Sequence, residues 1–247
     1  MPLPPTFDAA LVSARAISPS VRELTFERTD GSPFAFAAGQ WVTFVLPNDG
    51  QELRRSYSIA SAPNGSPHFD VLVTHVVGGP GSSILHAMEP GNCVTVIGPQ
   101  GFFTRPLENV APSLFVATGT GVTPFLSMLG AALAAGDRTP TWLLFGVRRE
   151  HDILHAAELA KVAETHPHFR FLPTLSQPSS DAWAGRRGYV QAHVRELLEE
   201  LAALPASAGR PPHAYICGLQ RMVGSVRDLL RKEMGLPRER VHTERYD

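Results

Sequence analysis

The stretch Leu53-Arg54-Arg55-Ser56-Tyr57-Ser58-Ile59-Ala60-Ser61 decides how the chain is interpreted, because it predicts a β-strand that carries a cation, an aromatic ring and hydroxyls side by side. Side chains alternate along a strand, so Arg55 and Tyr57 share one face while Ser56 and Ser58 share the other. A guanidinium pairs with phosphate, a phenol ring stacks on a flat heterocycle, and a serine hydroxyl can hydrogen-bond a ring edge. These contacts suit a flavin nucleotide, although the four residues from Arg55 to Ser58, taken alone, fit an ordinary surface strand better.

Length, charge and cysteine usage narrow the class of protein. The 247 residues are enough for one large domain or two ordinary ones, and a formal net charge of −1 argues against a nucleic-acid partner. Two cysteines, Cys93 and Cys217, exclude a disulfide scaffold and a four-cysteine iron–sulfur cluster within this chain. They fit a reducing compartment, and the N-terminus shows no secretory signal, so we expect a cytoplasmic protein.

A charge-free run over residues 109–136 resembles a membrane helix in composition only. It contains Pro112, Pro124 and several glycines, which break a spanning helix. A buried strand, a glycine-rich turn and a buried helix explain the run better, and no membrane insertion is predicted.

The pattern over residues 1–108 predicts short β-strands separated by turns. The predicted strands cover residues 21–26, 41–46, 53–58, 70–76 and 93–97, with one helix over 83–88. Many short strands at this spacing predict a small antiparallel barrel.

Residues 109–247 alternate strand and helix instead. Strands are predicted over 114–117, 141–145, 169–172 and 213–217, and helices over 124–135, 153–164, 190–204 and 219–234. Gly235 and Pro237 end the last helix, and residues 241–244 are expected to close the sheet. This pattern predicts a doubly wound parallel α/β sheet.

Two glycine-rich turns each precede a helix. Gly119-Thr120-Gly121-Val122-Thr123-Pro124 follows the first strand of the α/β half, with Thr123 as helix N-cap and Pro124 as its first residue. Gly78-Gly79-Pro80-Gly81-Ser82-Ser83 precedes the helix of the β-rich half. Backbone N–H groups at a helix start can bind phosphate, although each turn is also compatible with a ligand-free cap.

Taken in order, these segments resemble the ferredoxin–NADP(+) reductase superfamily over nearly the whole chain. The matching motifs are Gly39-Gln40, Arg55-Ser56-Tyr57-Ser58, Ser82 ahead of Pro90-Gly91, Gly98-Pro99 with Gly101-Phe102, Gly119 to Pro124, and Cys217-Gly218. The resemblance implies a six-stranded antiparallel FAD-binding barrel over 1–108 and a doubly wound NAD(P)-binding domain over 109–247. It further implies hydride transfer from nicotinamide C4 to flavin N5, followed by single-electron transfer to a carrier.

The tail His242-Thr243-Glu244-Arg245-Tyr246 is similar to the ending of plant-type reductases. That similarity implies that Glu244 relays a proton and positions the nicotinamide, and that Tyr246 stacks on the isoalloxazine. Asp247 departs from the pattern and is expected to alter stacking or access. The alternative is an exposed, unstructured tail.

The resemblance assigns roles residue by residue. It implies that the catalytic residues are Ser58, Cys217 and Glu244. It implies FAD contacts from Arg55, Ser56, Tyr57, Ser58, Val73, Thr74, Gly81, Ser82, Ser83, Thr123 and Tyr246. It implies NADP contacts from Gly119, Thr120, Gly121, Thr123, Pro124, Arg148, Ser176, Arg186, Arg187, Tyr189, Cys217, Gly218, Leu219 and Met222.

The choice of nucleotide depends on residues 176–189. Ser176 and Gly185-Arg186-Arg187-Gly188-Tyr189 resemble the plant-type 2′-phosphate site, but Gln177 stands where that site usually has an Arg. NADH-using relatives share the Gly-x-x-Gly-Tyr pattern, whereas Cys217-Gly218-Leu219 resembles the NADP type. We predict NADPH, with NADH left open.

Other readings of the chain are weaker. His151 and His155 are four residues apart, but a metal site is not predicted; they are expected to begin an amphipathic helix. Cys93 is expected in the core of a strand. The predicted function is reduction of a separate ferredoxin or flavodoxin by a stand-alone reductase of bacterial size. A monomer is expected, although the sequence leaves the oligomeric state open. An NADH-dependent oxygenase reductase, a flavin reductase and a flavin-bearing sensor are the alternatives.

Overall fold

The computed structural model describes residues 4–48, 50–108 and 110–246. Asp247 and its expected effect on stacking lie outside this part of the chain. The described helices contain none long and apolar enough to span a membrane.

The first part of the chain forms a six-stranded antiparallel sheet. Its strands are β1 (Thr6–Ala16), β2 (Val21–Arg28), β3 (Trp41–Asn48), β4 (Gln51–Ser58), β5 (His68–Thr74) and β6 (Cys93–Gln100), and helix α1 (Pro80–Ala87) lies between β5 and β6. The strand order is β4-β3-β6-β1-β2-β5. A bridge between Ile59 and Val71 joins the β4 end of the sheet to its β5 end, which closes it into the predicted barrel.

Aromatic side chains fill this barrel. Phe7, Phe26, Phe44 and Phe69 are buried, and the centroids of their contacting rings lie 4.9–6.5 Å apart. Strand β1 was not predicted from the sequence, although buried Phe7, Ala9 and Leu11 alternate along it with more exposed residues. The small alanine side chains weaken the pattern, because they carry little of the apolar signal on which periodicity depends.

The second part of the chain forms a six-stranded, entirely parallel sheet. Its strands are β7 (Ser113–Thr118), β8 (Thr141–Val147), β9 (Phe169–Leu175), β10 (Arg186–Arg187), β11 (His213–Leu219) and β12 (Val241–Tyr246). The helices that accompany the sheet in sequence are α2 (Thr123–Ala134), α3 (Ala156–Thr165), α4 (Gln191–Ala203) and α5 (Gln220–Asp228). The order β10-β9-β8-β7-β11-β12 confirms the doubly wound topology, and the direction of winding reverses between β7 and β11. Ligands bind at the carboxyl ends of the strands at such a reversal.

The chain divides into two compact units. One comprises the chain up to Arg105 together with α2, and the other comprises Pro106–Val122 and the chain from Ala135. Within the first unit, Ser127 Oγ of α2 donates a hydrogen bond to the Ser61 carbonyl at 2.7 Å. Helix α2 therefore groups with the barrel, and the simple division at residue 108 stays a prediction.

Several local predictions need correction. Helix α1 begins at Pro80 rather than 83, and α5 gives way to a π-helical turn, Leu229–Glu233. Helix α3 begins at Ala156, because Glu150–Asp152 form a separate 3₁₀ turn and His155 has a left-handed φ of 53°. The prediction that His151 and His155 begin a helix together was therefore wrong. Cys93 was wrongly expected in the core: it is exposed, because it is the first residue of β6 and its side chain lies on the outer face.

Candidate flavin and nucleotide sites

In the barrel unit, Arg55 lies across the first turn of α1. A Cβ built on Gly81 would lie 2.6 Å from Arg55 Cγ, so only glycine leaves room for the arginine stem. Pro80 occupies the start of α1, and the first amides of a helix have no intrahelical partner. A guanidinium and free N–H groups therefore converge, as a diphosphate requires.

The two serines of this turn hold its loop in place. Ser82 is buried; its Oγ accepts the Val76 N–H at 3.0 Å and donates to the Gly79 carbonyl at 3.1 Å. Ser83 Oγ donates to the same carbonyl at 2.9 Å. These hydrogen bonds shape the turn around its backbone amides, and a direct contact between either hydroxyl and FAD stays a prediction.

The end of β4 presents the other predicted flavin residues. Ser58 is buried, Tyr57 is half-buried with its ring 5.8 Å from that of Phe44, and Ser56 Oγ lies 3.1 Å from Thr43 Oγ1. Burial raises the pKa of the Tyr57 hydroxyl, so it stays protonated at neutral pH.

Strand β5 adds Val73 and Thr74, which are buried and half-buried. The Val73 carbonyl lies 2.8 Å from His86 Nε2, and burial lowers the pKa of that imidazole. Sequence reasoning did not find His86, because nothing in the α1 sequence marks a histidine that contacts a neighbouring strand.

In the second unit, the loop after β7 packs against the carboxyl end of β11. Gly119–Val122 form a 3₁₀ turn in which Gly119 has φ +54° and open space around it. Gly121 is confined: a Cβ there would lie 2.6 Å from the Cys217 carbonyl carbon and 2.6 Å from Gly218 Cα. Glycine at 121 thus allows the loop backbone to reach the topological reversal.

Cys217 and Glu244 meet at this end of the sheet. The parallel register of β11 and β12 pairs Cys217 with Glu244 and Leu219 with Tyr246, and Cys217 Sγ lies 4.0 Å from Glu244 Oε2. Burial, and after it the Glu244 charge, raises the pKa of the Cys217 thiol well above its usual range, although a hydrogen bond with Tyr246 opposes this. The thiol therefore stays protonated at neutral pH, and its Sγ can donate to Glu244 Oε2.

One polar group beside this pair was missed from the sequence. Thr118 Oγ1, at the end of β7, is buried and has no hydrogen-bond partner among the residues that the structure describes. A Cβ on Gly218 would overlap Thr118 Oγ1 and lie 3.0 Å from Met222 Cε. A buried orphan hydroxyl costs free energy unless something bonds it, so this cradle fits a polar nucleotide group. The only signal in the sequence was its place directly before Gly119.

The remaining predicted residues are spread along β11, α5, α2 and the 3₁₀ turn before α2. Leu219 is exposed, Met222 is buried, and Thr123 and Pro124 are buried at the start of α2. Thr120 lies in the 3₁₀ turn.

The predicted 2′-phosphate residues lie at the edge of the sheet formed by β9 and β10. Arg148, Arg187 and Tyr189 are exposed, and Ser176 is half-buried with its N–H donating to the Val147 carbonyl at 3.1 Å. Arg186 differs because its side chain is ion-paired with Glu196, Nη1 to Oε2 at 3.1 Å. The structure thus brings Ser176, Arg186 and Arg187 to one edge.

The chain matches two family models. An oxidoreductase FAD-binding domain matches residues 8–104, and an oxidoreductase NAD-binding domain matches residues 115–228. The matched ranges contain Arg55 with the α1 turn and the Gly119 loop with Cys217 respectively.

Similar proteins agree with these domains. Ferredoxin–NADP reductase B of Sorangium cellulosum is 56% identical over 98% of this chain and 98% of its own length. An aromatic O-demethylase reductase subunit of Amycolatopsis is 31% identical over 87% of this chain, which spans 62% of that protein. The crystal structure of a ferredoxin NADP+ reductase from Neisseria gonorrhoeae with bound FAD and NADP shares the fold, with a TM-score of 0.81 at 20% identity over 97% of this chain and 98% of that one. The chain therefore belongs to the ferredoxin–NADP(+) reductase superfamily.

Proposed function

We propose that this protein is an FAD-dependent ferredoxin–NADP(+) reductase. The observation that carries the proposal is the pairing of a protonated Cys217 thiol with the Glu244 carboxylate at the reversal point, beside the confined Gly121. Its near full-length similarity to ferredoxin–NADP reductase B supports the same activity.

The residues of each unit have distinct roles in this proposal. Arg55 and the amides of the α1 turn bind the FAD diphosphate, and Tyr57 and Ser58 contact the flavin ring. FAD and NADPH, when bound, supply the hydride and single-electron chemistry. Cys217 packs against the nicotinamide, Glu244 orients it and holds a proton, and Tyr246 is the ring that covers the flavin.

The wider assignments are proposals of the same kind. We assign residues 1–108 to the FAD-binding domain and residues 109–247 to the NAD(P)-binding domain, and the electron partner is a separate ferredoxin or flavodoxin. We place the protein in the cytoplasm as a monomer. Both of its cysteines are free thiols, which agrees with a reducing compartment.

A second candidate function is an NADH-dependent reductase component of an oxygenase system. The similarity to the O-demethylase reductase subunit favours it, and so does the exposed Gln177, which offers no charge to a 2′-phosphate. On this reading Arg187 is an ordinary surface residue.

Anaerobic stopped-flow reduction of the FAD-loaded protein tests both candidates. We expect NADPH to bleach the flavin absorbance faster than NADH does. A preference for NADH would favour the oxygenase reductase, and a protein that neither nucleotide bleaches would contradict the reductase proposal.

Variants of Glu244 test the observation on which the proposal depends. Glu244→Gln should slow flavin reduction at least about tenfold, because a neutral amide cannot hold the proton. Glu239→Gln, at an exposed acid on the preceding turn, should leave the rate unchanged. Equal rates in the two variants would remove Glu244 from the reaction.

A further inference from the structure

Helix α4 holds the guanidinium of Arg186 from two positions. Glu196 binds it with both carboxylate oxygens, Nη1 to Oε2 at 3.1 Å and Nη2 to Oε1 at 3.2 Å. Arg186 Nη1 also donates to His193 Nδ1 at 3.2 Å. This bidentate pair is the strongest geometry available to arginine, and it lowers the pKa of the Glu196 carboxyl. Both terminal nitrogens of the Arg186 guanidinium therefore already have hydrogen-bond partners within the protein.

The backbone around Arg186 is held as firmly as its side chain. Three successive carbonyls each accept a side-chain hydrogen bond: Arg186 from Trp183 Nε1 at 2.8 Å, Arg187 from His193 Nε2 at 3.0 Å, and Gly188 from Thr174 Oγ1 at 2.9 Å. Because His193 Nδ1 accepts from a guanidinium, the ring proton is assigned to Nε2, which donates it to the Arg187 carbonyl. His193 thus links the Arg186 side chain to the Arg187 backbone.

Because side chains alternate along a strand, the side chains of Arg186 and Arg187 lie on opposite faces of β10. Arg186 pairs with residues of α4, whereas Arg187 Nη2 donates to the carbonyls of Asp181 and Trp183, each at 3.1 Å. Arg187 makes no ion pair with any described carboxylate, and Tyr189 is 73% exposed. Of the two arginines of β10, Arg187 is therefore the one whose charge no described carboxylate compensates.

We propose that Arg186, His193 and Glu196 form a tether that presents Arg187 to the 2′-phosphate of NADPH. Arg186 is then a positioning residue and Arg187 is the phosphate ligand. This inference rests on the proposed use of NADPH and adds to it the residues that set nucleotide selectivity.

The direction in which phosphate affinity changes when Glu196 is neutralised distinguishes this tether from a simple electrostatic effect. Glu196 is a negative charge close to the proposed phosphate site, so its neutralisation alone should strengthen phosphate binding. If Glu196 is instead part of the tether, its neutralisation frees Arg186 and loosens the Arg187 backbone, which weakens phosphate binding.

The experiment uses the FAD-loaded protein and two probe nucleotides that differ only in the 2′-phosphate. Calorimetry gives the dissociation constants of 2′,5′-ADP and 5′-AMP, and steady-state assays give KM and kcat for NADPH and NADH. In Glu196→Gln we expect about tenfold weaker 2′,5′-ADP binding and a matching rise in the NADPH KM. Binding of 5′-AMP, the NADH KM and kcat should stay within about twofold, because no contact with a 2′-phosphate is involved.

Four further variants complete the test. Glu199→Gln removes an exposed acid from the same helix without touching the tether and should leave 2′,5′-ADP binding unchanged or slightly tighter. His193→Leu should act like Glu196→Gln, while His193→Gln, which keeps a donor for the Arg187 carbonyl, should recover part of the affinity. Arg187→Gln should lose more 2′,5′-ADP affinity than any tether variant.

The outcomes distinguish this inference from the proposed function. Unchanged or tighter 2′,5′-ADP binding in Glu196→Gln, with a wild type that prefers 2′,5′-ADP over 5′-AMP, would overturn the tether alone. A wild type that binds both probes equally would overturn the assignment of NADPH and the tether together.

Discussion

Replacing Gly121 with alanine tests the close packing between the glycine loop and the end of β11. The added Cβ would lie 2.6 Å from both the Cys217 carbonyl carbon and Gly218 Cα, and the Cys217 carbonyl oxygen is also within the overlap. All three are backbone atoms of a strand that pairs with β7 on one side and β12 on the other. No side-chain rotation can relieve the overlap, so the loop must move.

The expected cost follows from this rigidity. Overpacking of a core costs about 1–3 kcal/mol. Because the added Cβ overlaps backbone atoms, we expect a cost at the upper end of this range, about 3 kcal/mol. Loss of glycine flexibility in the unfolded chain returns up to about 1 kcal/mol. We therefore expect a net decrease of about 2 kcal/mol in the free energy of unfolding. A loop displaced by about 1 Å from Cys217 should also reduce kcat/KM for NADPH by at least about tenfold.

Urea unfolding followed by circular dichroism measures the first effect, and steady-state kinetics the second. Gly224→Ala is the matched control, because a Cβ there meets nothing within 4 Å and the position is helical. This control should gain about 1 kcal/mol in the free energy of unfolding and keep its activity. Wild-type stability and kcat/KM in Gly121→Ala would refute the packing argument.

Three further predictions concern other parts of the molecule. Ser58→Val should slow flavin reduction at least about tenfold while FAD stays bound, because the buried hydroxyl is lost; an unchanged stopped-flow rate would contradict its role. Iodoacetamide should label exposed Cys93 and spare Cys217, which is buried and has a raised pKa; equal labelling by mass spectrometry would show that the thiol is accessible. Burial lowers the pKa of both His213 and His242, whose Nδ1 and Nε2 lie 3.0 Å apart, so the folded pair is neutral. The histidines of the unfolded chain protonate at about pH 6.5. The contribution of the neutral pair to the free energy of unfolding should therefore be fully present above that pH and decrease below it. Urea unfolding of His242→Phe should show a shallower fall, and an identical slope would exclude the pair.

Much of the architecture was predictable from local patterns. Short β-strands broken by turns in the first half predicted the antiparallel barrel. Alternating strands and helices in the second half predicted the parallel α/β sheet, and the structure confirms both. The Gly119 loop and Cys217-Gly218 were recognisable because each is a short, contiguous motif at the end of a strand. Strand β1 and the early start of α1 were missed, because Ala9 and Pro80 give weak or ambiguous local signals.

The sequence by itself determined the two-part fold, the order of the motifs and the family, since these depend on periodicity and on residues adjacent in the chain. It did not reveal that Arg186 is paired with Glu196, that Thr118 Oγ1 is buried without a described partner, or that Cys93 is exposed. Each of these depends on which elements pack together and on the register of their pairing. The Cys217–Glu244 contact shows the difference: both residues were recognised by motif, but only the parallel pairing of β11 and β12 brings together atoms 27 positions apart. Burial and charge at such contacts are properties of the packed chain, and a one-dimensional pattern does not contain them.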